Sequence, residues 1–101
     1  MIPLGTTQVE DARLTELCRK YQVRELSVFG SAARGTMGPN SDLDLLVEFQ
    51  PDAEVGLLEH AGLMLDLSDL LGRRVDLVSK RGLKLAIRDS ILREARLVYA
   101  A

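Results

Sequence analysis

Apolar residues recur at helical spacing between Val9 and Tyr21, at Leu14, Leu17, Cys18 and Tyr21, and predict a first amphipathic helix with Thr6 or Thr7 available to cap its start. Val23 to Phe29, β-branched and aromatic at short range and stopped by Gly30, reads as a buried strand. Ser31 to Arg34 opens a short helix that Gly35 ends. The loop Thr36 to Ser41 is rich in Gly, Pro and Asn, which supply turns. From Leu43 to Phe49 the alternation is clean: Leu43, Leu45, Val47 and Phe49 share one side, with Asp42, Asp44, Leu46 and Glu48 on the other, as in a strand. Val55 to Leu71 is so densely apolar that it predicts a helix buried over much of its circumference and stopped by Gly72. Arg73 to Ser79 forms a third strand. Leu83 to Val98 closes as a helix with Ile87, Ile91, Ala95 and Val98 on one stripe. This alternation predicts an α/β arrangement, a small sheet with helices packed against it, as one domain spanning residues 1–101.

Composition narrows the function classes. The chain is 47% hydrophobic and 28% charged with a formal net charge of −2, an ordinary folded composition without the clustered basic excess that direct nucleic-acid binding requires. Cys18 is the single cysteine; at an apolar helical position it reads as a buried structural thiol, consistent with a reducing, cytoplasmic setting. Neither a signal-like start nor a run of about 18 uninterrupted apolar residues is present, so secretion and membrane spanning are not expected.

The chemistry lies in Phe29-Gly30-Ser31 and, ten residues on, Asp42-Leu43-Asp44. Residues two apart on a strand point to one face, with side-chain origins about 7 Å apart. Such a carboxylate pair can bridge two divalent ions about 3.5–4 Å apart. Asp76 lies opposite Val75 and Leu77 on the third strand; if that strand neighbours the second, three carboxylates converge. Their mutual repulsion is relieved by hard cations such as Mg²⁺. Gly30 permits close backbone approach, Ser31 offers a hydroxyl, and Arg34 can pair with a phosphate. A phosphate turn beside an acid cluster fits phosphoryl or nucleotidyl transfer, in which the protein positions groups and stabilises charge.

The segments Val28-Phe29-Gly30-Ser31-Ala32-Ala33-Arg34-Gly35 and Asn40-Ser41-Asp42-Leu43-Asp44-Leu45-Leu46-Val47, with Val75-Asp76-Leu77-Val78, closely resemble the minimal nucleotidyltransferases, the smallest members of the polymerase-beta-type superfamily. The resemblance spans nearly the whole chain. It implies a small mixed sheet flanked by helices, with Asp42, Asp44 and Asp76 as catalytic and metal-holding residues and Gly30, Ser31 and Arg34 as triphosphate-binding ones. It further implies two Mg²⁺ ions, ATP as substrate, and a HEPN ribonuclease toxin as protein partner, receiving AMP on a tyrosine and thereby held in check. Many relatives carry a basic residue where this chain has Ala32. Two alternatives remain open in the sequence: neutralisation of the toxin by binding alone with a vestigial site, and adenylylation of a small molecule.

Other residues carry weaker signals. His60 reads as structural, Glu48 as a remote member of the acid face, and Arg73-Arg74 and Lys80-Arg81 as solvated strand ends.

Overall fold

A computed structural model describes residues 1–101. Two short strands, β1 (Ile2–Leu4) and β2 (Thr7–Val9), open the chain as an antiparallel hairpin. Then come α1 (Asp11–Lys20), β3 (Val23–Phe29), the five-residue α2 (Gly30–Arg34), β4 (Leu43–Phe49), α3 (Leu57–Leu71), β5 (Val75–Ser79), α4 (Leu85–Glu94) and β6 (Arg96–Ala100). The main sheet has the order β5-β4-β3-β6. Its pairings are antiparallel except for the parallel pair β4 and β5, so the sheet is mixed.

The alternation of β4 sets the layers. Leu43, Leu45 and Val47 are fully buried, and with Leu26 and Val28 of β3 and Val75 and Leu77 of β5 they form the sheet's contribution to the core. Leu14 and Cys18 of α1 and Leu63, Leu67 and Leu71 of α3 cover them. Fully burying each such side chain is worth roughly 1.5–3 kcal/mol before the entropy of ordering is subtracted. The opposite sheet face carries Asp44, Leu46 and Glu48, and there a cleft is shared by Leu46, Glu25 and Ser27 with Leu92 and Ala95 at the end of α4. No helix is long and apolar enough to cross a membrane.

Three expectations are corrected. Thr6 and Thr7 belong to the hairpin, and Glu10, which precedes α1, makes no side-chain cap bond. Instead of being buried around much of its circumference, α3 buries the single stripe Leu63, Leu67 and Leu71 and leaves Leu57 and Leu58 about as exposed as an isolated side chain, at 84% and 85%. The four-residue spacing of the stripe reaches the sheet, with Met64 and Leu70 packed at its margin, while Leu57, Leu58 and Leu65 stay exposed. Nor does α4 run to Val98 or bury any residue. It stops at Glu94, Ala95 turns to extended backbone, and residues 96–100 pair with β3 as a sheet edge. Hydrogen bonds from a strand seventy residues earlier outweigh the local helical spacing.

Candidate active site

Three strand ends bring the motif together. Phe29, the last residue of β3, stands opposite Asp44 of β4, and Asp44 stands beside Asp76 of β5. One row across the sheet thus carries the entrance to the glycine turn and two of the three acids, at the interstrand spacing of about 4.8 Å per step. Immediately after Phe29 the chain takes a left-handed conformation at Gly30, φ +65°. A Cβ there would run into the Asp44 carboxylate. Only glycine satisfies both the backbone angle and the close approach.

Asp42 precedes β4 and is exposed. Its loop is held by Arg73, whose Nη2 donates to the carbonyls of Gly38 and Pro39 at 3.0 and 2.8 Å, while Ser41 Oγ accepts from the Gly38 amide at 3.0 Å. Arg73 is therefore not a solvated strand end, as its position beside a strand suggested, but the anchor of the loop that delivers Asp42. Arg74 Nη1 lies 3.9 Å from Asp42 Oδ1, with both side chains well exposed.

Burial pushes the Asp44 carboxyl above its ordinary range, and the charges of Asp76 and Asp42 push it further; Arg34 opposes them and Glu94 adds to the push. The acids therefore converge electrostatically on Asp44. Their side-chain atoms do not form a ready coordination cluster: no three His, Cys, Asp or Glu groups stand close enough to hold a metal ion. The second and third strands are neighbours, as convergence of the acids requires, and Asp42 lies toward Arg74. The donor set itself, oxygen throughout and with excess negative field at Asp44, suits a hard divalent cation.

Ser31 is half-buried on α2, and no side chain of its own neighbourhood caps that helix. Its support comes from the other end of the chain. Glu94, at the end of α4, accepts from the Gly30 amide and from Arg34 Nη1, which reaches both Glu94 oxygens at 3.0 and 3.1 Å. Arg96 Nε adds a bond to the Ala33 carbonyl at 3.2 Å. The sequence pattern missed Glu94, because a lone acid among the polar positions of a helix carries no local signal.

Of the weaker candidates, His60 is a structural residue, its Nε2 2.8 Å from the Leu77 carbonyl. Glu48 faces Lys80 at 3.8 Å. Cys18 is fully buried and its thiol is pushed up to about 12 by that burial, which removes it from nucleophilic chemistry at neutral pH.

Comparison with known proteins places this geometry. Residues 12–98 match the family described as "Nucleotidyltransferase domain". The protein adenylyltransferase MntA of Thermococcus cleftensis is 45% identical over 83 residues, 82% of each chain. A solved structure assigned as a minimal nucleotidyltransferase is 47% identical, covers 84% of this chain and 85% of its own, and superimposes with a TM-score of 0.72. At 17% identity, which speaks for the fold alone, the MNT antitoxin complex with a tri-AMPylated HEPN toxin from Shewanella oneidensis reaches a TM-score of 0.65, covering 89% of this chain and 69% of that one. With the match reaching from α1 into β6 and taking in the glycine turn and all three acids, this chain belongs to the nucleotidyltransferase-domain family, among its minimal members.

Proposed function

We propose that this chain is a cytoplasmic, Mg²⁺-dependent adenylyltransferase that moves AMP from ATP onto a HEPN-type toxin and acts as that toxin's antitoxin. The observation that carries the proposal is the row Phe29, Asp44, Asp76, which sets a phosphate turn against two acids on neighbouring strands. Further support comes from the relative named a protein adenylyltransferase and from the AMPylated toxin in the complex of the same fold.

In this reading Ser31 and Arg34 bind the triphosphate, with Gly30 allowing its close approach to the backbone. Asp42, Asp44 and Asp76 would hold Mg²⁺, which, when bound, would supply charge neutralisation for the triphosphate and a lowered pKa for the acceptor hydroxyl. Asp76, exposed on β5, takes the proton of the acceptor hydroxyl as the hydroxyl oxygen attacks the α-phosphorus and pyrophosphate leaves.

Incubation with labelled ATP, Mg²⁺ and a HEPN-type toxin tests the proposal. Label passes to the toxin with the native chain and falls by a factor of about 100 or more when Asp42→Asn and Asp44→Asn are combined. Transfer that survives the double substitution sinks the mechanism. Full protection from the toxin by a double variant that transfers nothing favours neutralisation by binding alone, a reading to which the exposed Leu57, Leu58 and Leu85 lend an apolar surface.

A further inference from the structure

Glu94 satisfies the two groups that bracket the phosphate turn. Its side chain is only 24% exposed, whereas that of Arg34 is 56% exposed. One edge of the guanidinium, Nη1, is taken by the carboxylate; a guanidinium has five donors, so Nε and Nη2 remain for an anion arriving from solvent. The same carboxylate accepts from the amide of Gly30, the residue in left-handed conformation that lies against Asp44. Two residues later Arg96 grips the Ala33 carbonyl, so the junction of α4 and β6 holds α2 at both ends. This five-residue helix has no side-chain cap; beyond Glu94 and Arg96 it is held by Ala32 in the core and Ala33 packed against it.

We propose that Glu94 is a positioning residue for nucleotide binding: through one carboxylate it caps the Gly30 turn and aims Arg34 at the triphosphate. The inference rests on the nucleotidyl-transfer reading above and extends it to a residue 64 positions from the turn. It assigns the end of α4 a role in substrate affinity, in addition to whatever partner that helix meets. An acid at this point also adds negative charge near a polyanion, so the sign of its effect decides between positioning and competition.

The test measures Kd for a fluorescent ATP analogue with Mg²⁺, KM and kcat for AMP transfer, and thermal unfolding, in full-length native, Glu94→Ala, Glu94→Gln, Arg34→Ala and Arg34→Ala/Glu94→Ala chains. Loss of a charge-assisted hydrogen-bond pair predicts that Glu94→Ala raises Kd and KM about tenfold. Glu94→Gln, whose amide oxygen still accepts from Gly30, recovers about half of that loss on a logarithmic scale. In the Arg34→Ala background the Glu94 substitution costs about threefold or less, because only the Gly30 contact is left to lose. Tighter ATP binding by Glu94→Ala overturns the proposal in favour of a carboxylate that competes with phosphate. Unchanged affinity in both Glu94 variants, or additive losses in the double variant, also overturns it. A native chain that neither binds the analogue nor transfers AMP defeats the nucleotidyl-transfer reading and this inference with it, whereas a native chain that does both beside unaffected Glu94 variants defeats this inference alone.

Discussion

Tyr21 and Asp66 form the clearest side-chain pair outside the site, with Tyr21 Oη donating to Asp66 Oδ2 at 2.6 Å and Lys20 Nζ 3.5 Å from the same oxygen. The bond and the acid's charge, with some burial, push the tyrosine up to about 12, and the same bond holds the Asp66 carboxyl below its usual value. The two shifts set opposite ends of the stability profile. Asp66 contributes stability that is present above the unfolded carboxylate value of about 3.9 and lost as pH falls through its lower folded value. Tyr21 contributes stability that is present below the unfolded value of about 10 and lost as pH rises toward 12. Absorbance titration of the native chain is expected to show a tyrosine ionising near 12, and Tyr21→Phe to remove that late step. The same substitution flattens the acid limb of stability against pH; an acid limb unchanged in the variant refutes the assignment.

At the level of elements, the turn between α1 and β3 carries an avoidable cost. Gln22 is the one non-glycine residue with positive φ, at 57°, a conformation that costs an L-residue roughly 1–2 kcal/mol. Its amide and carbonyl are both engaged, with Arg19 and Gln50, so the backbone must hold that shape. Gln22→Gly is expected to stabilise the fold by roughly 0.5–1 kcal/mol in urea unfolding, part of the relief being returned as unfolded-state entropy. The elements that were legible in the sequence are those whose partners impose a full period. The strand over Leu43–Phe49 buries Leu43, Leu45 and Val47 on the predicted face, with Leu46 buried on the other, and the α3 boundary at Leu71 is marked by Gly72, which takes up the left-handed C-cap. The hairpin escaped because three residues per strand give too few repeats for alternation to register. β6 escaped because Ile87, Ile91, Ala95 and Val98 mimic a helical stripe, while the pairing that makes residues 96–100 a strand is non-local. In the candidate site, the turn at Gly30 and the placement of Asp44 beside Asp76 were legible from spacing and strand parity. Arg73 and Glu94 were not, since each acts on residues more than thirty positions away.

At the scale of the whole molecule, one apolar core backs the sheet whose opposite face carries the candidate site. Leu63, fully buried where α3 meets the rest of the core, is expected to cost about 2–5 kcal/mol when replaced by Ala, a large part of the roughly 5–15 kcal/mol available to such a domain. Urea unfolding reads that loss, while ATP affinity per folded molecule stays unchanged, because Leu63 lies on the helix-covered side. A drop in affinity among molecules still folded would show that core and site are coupled. The register of Asp44 beside Asp76 carries a further consequence for how such a chain can diversify. Because the two acids meet through strand-to-strand bonding, the stretch from Pro51 to Gly56 sets no distance between them. Insertions, deletions or grafted modules there leave the acid spacing alone, so this loop and the chemistry can evolve on separate clocks.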